Sequence, residues 1–154
     1  MALFPAVSTA EDLIVVADKK AGTMYILDRD SDTRIATGPA LYGKRKGDSL
    51  DFDYYDSVLK TAPYITPAGT FKLTKYYSTR LKKNVLVFIE GNNILMAIHS
   101  VYTGNVNQQR VERLQTSTAS DNKITNGCIN VTPEFFKRLD ELPPNTTLIV
   151  LPDN

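Results

Sequence analysis

One cysteine, one histidine and no tryptophan stand among the 154 residues of this chain. A single thiol excludes an internal disulfide, and one Cys with one His cannot build a zinc site of the usual four-ligand kind, so a structural metal is not expected. Charge of one sign is also scarce: eighteen Lys plus Arg against seventeen Asp plus Glu leave a net +1. That balance gives no basic footprint for nucleic acid. No apolar run approaches the roughly 20 residues that span a bilayer, and Met1 to Ala10 carry neither a basic n-region nor the apolar stretch of a secretory signal. Repeats, low-complexity tracts and composition breaks are absent too. Residues 1–154 are therefore expected to form one domain, with 1–10 as an N-terminal extension.

What the chain does contain is strand chemistry. Apolar residues make up 42%, including eight Tyr and six Phe, enough to bury one core. Leu13 to Ala17, Thr23 to Leu27, Thr70 to Tyr76, Asn84 to Ile89, Ile94 to His99 and Thr147 to Leu151 are short runs rich in Val, Ile, Tyr and Phe, which predict a mainly β fold. Gly91-Asn92-Asn93 tolerates the positive φ of a tight turn and predicts an antiparallel hairpin from Val85 to His99. One helix is well punctuated: Thr132 caps it, Pro133 suits its first position, Phe135, Phe136 and Leu139 form its apolar stripe, and Pro143-Pro144 ends it. Two polar segments, Gly43 to Ala62 and Ser100 to Lys123, are longer than ordinary connections and read as lids or binding surfaces. Arg80, Lys82 and Lys83 read most simply as a solvated strand end, with contact to an anionic substrate as the alternative, and are given no role.

A lone Cys is more often a small buried hydrophobe than a nucleophile, so the neighbours of Cys128 decide its reading. They are Ile124-Thr125-Asn126-Gly127-Cys128-Ile129-Asn130-Val131, with the thiol between a Gly and an apolar residue at the end of a polar loop. A Gly adopts dihedrals closed to other residues and admits a substrate to the backbone, so the amides of Gly127 and Cys128 are candidate oxyanion donors. A thiol at its reference pKa of about 8.5 is only a few per cent thiolate near neutrality and needs a base. His99, closing the run Ile94-Leu95-Met96-Ala97-Ile98-His99, is the one candidate, although a lone strand His is often structural.

Ile98-His99 followed by Thr125-Asn126-Gly127-Cys128-Ile129-Asn130 resembles the L,D-transpeptidase catalytic domain, also called the YkuD-type domain. In that family a strand ends in Ile-His, and a later loop reads Ser-X-Gly-Cys-Ile followed by Arg or Asn. Ile65-Thr66-Pro67-Ala68-Gly69-Thr70-Phe71 is similar to the family's Thr-Pro-X-Gly-X-Phe turn. The opening run to Leu27 and the closing Thr147 to Pro152 resemble its first hairpin and last strand. Thr125 replaces the usual Ser, and Asn126 stands where many members have His. The stretch from His99 to Cys128 is longer than in many members, but Arg113-Leu114 and Asp121-Asn122-Lys123-Ile124 resemble a subgroup carrying such an insert.

The resemblance implies a β-sandwich with one or two short helices and a cysteine acyltransferase acting on peptidoglycan stem peptides. Cys128 would attack the bond between the L-centre of the third stem residue and D-alanine, with His99 as base and no cofactor. Transfer of the thioester to an amine gives a 3-3 cross-link; L,D-carboxypeptidase, D-amino-acid exchange and a non-catalytic peptidoglycan-binding relative are the alternatives. The family also implies an exported protein of the periplasm or cell envelope and covalent inhibition by carbapenems. A backbone carbonyl near the Cys loop, mapping to Thr125, is expected to orient the imidazole. Thr125, Asn126, Gly127 and Asn130 are thus supporting candidates, although Thr125 and Asn130 could equally satisfy the loop's own backbone. Arg113, whose planar fork matches a carboxylate, is a candidate substrate ligand, with a surface Arg as the alternative.

Overall fold

The computed structural model describes residues 12–50, 64–91 and 94–153. It is dominated by strands: β1 Leu13–Asp18, β2 Thr23–Asp28, β3 Thr33–Gly43, β4 Gly69–Lys72, β5 Thr74–Ser78, β6 Lys83–Glu90, β7 Leu95–Ser100, β8 Lys123–Thr125, β9 Ile129–Val131 and β10 Thr147–Val150. Two short helices, α1 Arg110–Gln115 and α2 Pro133–Asp140, complete it. The strand order is β4-β10-β1-β2-β3-β9-β7-β6-β5, with β8 also paired to β3.

Strand β3 makes this sequence of strands into a sandwich. Its first part pairs antiparallel with β2, from Thr33 opposite Asp28 to Pro39 opposite Thr23. It then changes partner: Ala40 and Leu41 face Val131 and Asn130 of β9. Pro39 has no amide to donate and so suits the residue at which the ladder changes partner. Alternation puts Val15 and Ala17 of β1 into the main core, which also holds Met24 and Ile26 of β2, Leu86 and Phe88 of β6, Met96 and Ile98 of β7, and Leu148 and Val150 of β10. Residues of both sheet halves thus share one core. Ile14, Val16 and Tyr25, on the opposite face, form a second small cluster.

The helix α2 follows its sequence signals. The Thr132 hydroxyl accepts the Phe135 amide at 3.1 Å, Pro133 takes the first turn, and Phe135, Phe136 and Leu139 are buried in the main core. Each such burial contributes about 1.5–3 kcal/mol, whereas Thr132→Ala, which unmakes the cap, should cost about 1 kcal/mol. The helix ends at Asp140, before Pro143.

Two expectations are corrected. The run Thr70 to Tyr76 is not one strand: Leu73 interrupts it, its amide donating to Thr146 O and its carbonyl accepting from Asn145 N, both at 2.9 Å. The halves, β4 and β5, lie at the two ends of the strand order. Strand β3 was not anticipated, because Gly38-Pro39 inside it reads as a breaker and its first residues are exposed. The hairpin β6–β7 is antiparallel as expected, with the Gly91 amide donating to Ile94 O at 2.9 Å. Asn92 and Asn93 of its turn, the extension 1–10, and residues 51–62 of the segment Gly43 to Ala62 lie outside the described residues.

Candidate active site

Cys128 immediately precedes β9, which lies between β3 and β7. The β7–β9 pairing is parallel, with Ile98 beside Ile129 and His99 beside Asn130. Side chains alternate along each strand, so Cys128 and Asn130 share the face that Ala97 and His99 present next to them. Cys128 and His99 both line one cleft of about 500 Å³, with Tyr76, Arg80, Tyr102 and Arg110 among its other walls. Cys128 is half-buried and His99 is 5% exposed.

The loop bearing Cys128 is fixed from both sides. Gly127 has φ +130°, and a Cβ there would sit 2.6 Å from Met96 Cε and 2.9 Å from Ile65 O, so both backbone and space demand glycine. Thr66 donates its hydroxyl to Gly127 O at 2.7 Å and accepts the Gly43 amide at 2.9 Å. Tyr64 N donates to Asn126 O at 3.2 Å. The Thr-Pro-X-Gly-X-Phe turn is therefore the clamp that holds the cysteine loop against β3.

Residues 12–150 match the YkuD family, the L,D-transpeptidase catalytic domain. The chain belongs to that family. Among solved structures it is similar to the catalytic domain of an E. faecium L,D-transpeptidase, at 17% identity and TM-score 0.55, covering 92% of this chain and 98% of that one. An L,D-transpeptidase from Mycobacterium tuberculosis H37Rv has 14% identity and TM-score 0.57 over 91% of this chain and 57% of its own. L,D-transpeptidase 3 from Mycobacterium tuberculosis, solved with a faropenem-derived adduct, has 13% identity and TM-score 0.52 over 90% of this chain and 60% of its own. At these identities the likeness is one of fold, and the chain spans under two thirds of either mycobacterial chain. No curated protein sequence matches the chain.

Within this family fold the imidazole is held by the carbonyl of the next residue. His99 Nδ1 donates to Ser100 O at 2.8 Å, which leaves Nε2 without a proton in the neutral ring. This differs from the expected carbonyl of Thr125, which accepts the Lys44 amide at 2.9 Å instead. Lys83 Nζ donates to the same Ser100 O at 3.0 Å and to Ser100 Oγ at 2.9 Å. Burial is the main cause that pushes the imidazole down to about 4; the Ser100 carbonyl opposes it, and the Lys83 and Arg110 charges reinforce it. Burial likewise raises the Cys128 thiol above its ordinary value, against a backbone hydrogen bond from Ala97 and the charges of Arg110 and Arg80. Near neutral pH the cleft thus holds a protonated thiol and a neutral imidazole whose Nε2 carries no proton, the two protonation states that a nucleophile and a general base start from.

The supporting candidates are placed differently from one another. Thr125 serves the loop's own backbone, accepting the Gly127 amide at 3.1 Å and donating to Cys128 O at 2.6 Å. The Gly127 amide is therefore taken and does not face the cleft as an oxyanion donor. Asn126 is exposed on the cleft wall. Asn130 is fully buried, its Oδ1 accepting Tyr102 N at 3.1 Å and an Arg110 terminal nitrogen at 3.0 Å. This orientation turns Nδ2 toward His99 Nε2 at 3.5 Å, too long a contact to tie up that lone pair.

Arg113 does not line the cleft. Its guanidinium donates to Gln108 O at 2.7 Å and to Asp121 O at 3.0 Å, bracing the insert that carries α1. Arg110, one helical turn earlier, is the arginine of this helix that lines the cleft. Helical spacing alone gives no reason to prefer one over the other, because a six-residue helix presents both on neighbouring turns. Ser100, Lys83 and Thr66 were likewise not singled out; only Thr66 had a signal, its place in the Thr-Pro turn.

Proposed function

We propose that the chain is a peptidoglycan L,D-transpeptidase with Cys128 as nucleophile and His99 as general base. The observation that carries this reading is the pair itself. A half-buried thiol just before β9 and a neutral imidazole on the neighbouring β7, its unprotonated Nε2 met only by a long contact from Asn130, line the same cleft. The sulfur attacks the carbonyl of the L-centred third stem residue while its proton passes to Nε2. The tetrahedral intermediate expels D-alanine, whose amine takes that proton, and leaves a thioester on Cys128. An amine acceptor then loses its proton to Nε2 and displaces the thiolate, which is reprotonated from the imidazolium. With the Gly127 amide occupied, the Cys128 amide is the remaining backbone candidate for the developing oxyanion, and Asn126 is an exposed polar residue of the same loop on the cleft wall.

A non-catalytic relative would have no use for a thiol that opens on the cleft holding the imidazole, and Cys128 is not sealed in the core. Water as acceptor would make the same site a carboxypeptidase, and a free D-amino acid would give exchange. A substrate in peptidoglycan places the working protein in the periplasm or cell envelope. Incubation with a disaccharide-tetrapeptide, read by mass, tests the proposal: a cross-linked dimer with loss of D-alanine is expected, and no product of any kind would sink it. Because the chain has one Cys, a carbapenem should add one acyl mass to the intact protein and none to Cys128→Ser, in line with the faropenem-derived adduct on the mycobacterial relative.

A further inference from the structure

Among the described residues, the walls of the cleft hold two guanidinium groups, Arg80 and Arg110, and not one carboxylate. Arg80 is exposed, so solvent accounts for it. Arg110 is 8% exposed, and a cation at that depth is normally paired with an acid. Among the described residues its partners are all neutral: Nε donates to Gln108 Oε1 at 2.8 Å, one terminal nitrogen donates to Asn130 Oδ1 at 3.0 Å, and the Tyr102 ring centroid lies 5.1 Å from its central carbon. Two of five N–H donors are thereby used, and the planar fork is held rigidly by groups that leave its charge uncompensated.

We propose that Arg110, assisted by Arg80, is a carboxylate receptor that selects acyl donors carrying a free carboxylate close to the carbonyl attacked by Cys128. The inference rests on the proposed acyl-transfer chemistry and adds to it a substrate requirement. Neutral hydrogen-bond partners hold a guanidinium in place without cancelling its charge, so an incoming carboxylate supplies the missing counter-ion and gains two charge-assisted bonds. The Asn130 amide that Arg110 fixes is the one beside the imidazole. Binding the carboxylate therefore sets the acyl donor against a base whose surroundings the same arginine orders. In a tetrapeptide stem two carboxylates qualify, the terminal one of D-alanine and the side-chain one of the third residue.

The lone thiol provides a test that needs no peptidoglycan. Iodoacetate and iodoacetamide alkylate a thiolate by the same displacement of iodide and differ in one negative charge. The ratio of their rates at Cys128, read by intact mass, therefore cancels changes in thiol acidity and access. In the folded protein the ratio should exceed that of the urea-unfolded chain by about five- to tenfold. Arg110→Gln should return it to the unfolded value, Arg110→Lys should keep part of it, and Arg80→Gln, on an exposed residue, should lower it less. A folded ratio equal to the unfolded one, or one unmoved by Arg110→Gln and Arg80→Gln, overturns the proposal. In Cys128→Ala protein, calorimetric titration with the tetrapeptide, its terminal carboxamide and its third-residue carboxamide identifies the carboxylate by which amide weakens binding. Equal binding of all three overturns the receptor. A raised iodoacetate ratio with no binding of any stem peptide would keep the receptor and discard the peptidoglycan substrate.

Discussion

Lys19 and Arg110 are both buried cations, and the molecule surrounds them in opposite ways. Lys19, 2% exposed, meets Asp48 Oδ1 at 2.9 Å and Asp153 Oδ2 at 3.5 Å, and donates to the carbonyls of Gly47 and Thr66 at 2.7 Å each. Asp153 takes Lys123 as well, at 3.2 Å. That cluster ties the turn after β1, the segment near Gly47, the Thr66 turn and the end of the chain into one knot with its charges balanced. In the cleft Arg110, Arg80 and Lys83 act on Cys128 and His99 with no acid among the described walls. Acids are thus available and are placed where the fold needs closing. The difference separates groups that hold the protein together from groups that stay unsatisfied until a substrate arrives.

The contrast is broken most sharply by exchanging the effects of mutation in the two regions. Cys128→Ser and His99→Ala should each lower turnover of the disaccharide-tetrapeptide by about a thousandfold or more, because nucleophile and base act as a unit. The melting temperature of either variant should stay within a few degrees of wild type; near-normal turnover would refute the assignment. Lys19→Met should do the reverse. Leaving Asp48 and Asp153 without their shared cation should cost about 3–5 kcal/mol in urea unfolding, while Arg110→Met, removing a charge with no acid partner, should cost much less. Equal losses would mean that the cleft cation is structural.

Acid sharpens the same contrast. His99 titrates near 4 in the folded protein and near 6.5 unfolded, so the unfolded chain binds more protons between those values. The stability this group contributes is complete above about pH 6.5 and falls as the pH drops toward 4, by about 3 kcal/mol in all. Asp153 behaves differently: burial alone would raise it, but the Gly47 amide, Lys123 and Lys19 outweigh burial and hold it below the ordinary aspartate value. Its contribution is present above the unfolded value and is lost only as the pH falls further. Urea midpoints between pH 7 and pH 4 should decline in wild type and flatten in His99→Gln; an unchanged slope would deny the burial of a neutral imidazole.

The smallest expected effect concerns Lys83, which shares the Ser100 carbonyl with His99. Lys83→Met removes a positive charge that holds the imidazole down, so the single histidine resonance should titrate roughly half to one unit higher by NMR. Lys83→Arg should titrate close to wild type. No change in Lys83→Met would show that the Lys83 charge does not hold the imidazole down.

The sequence marked the candidate pair that the cleft brings together more readily than the architecture around it. Cys128 and His99 were legible because each is the only residue of its kind and each stands in a local pattern with a backbone reason: Gly127 before the thiol, alternation before the imidazole. Thr132 and Pro133 announced α2 in the same local way. Strand β3 was not legible, because its role depends on a change of partner at Pro39, and partners are tertiary facts that a breaker residue in the sequence conceals. The split at Leu73 depends on bonds to Asn145 and Thr146, far along the chain. Arg110 was passed over for Arg113 for a similar reason: two arginines one turn apart differ only in what lies opposite them, Asn130 and Tyr102 for one, the carbonyls of Gln108 and Asp121 for the other.

Strand β9 is three residues long, and every ladder it makes is remote in sequence: Ala40 pairs with Val131, and His99 with Asn130. A strand so short has no hairpin partner to form with early, and parallel pairing requires a long loop to close first. The thiol and its base are therefore brought to one cleft only by long-range pairing, of β9 with β3 and with β7. An unfolded chain holds the two residues apart. The amides of β9 should exchange with solvent only through global opening, at the same free energy as the whole molecule, so loss of activity and loss of fold should coincide along a denaturant titration.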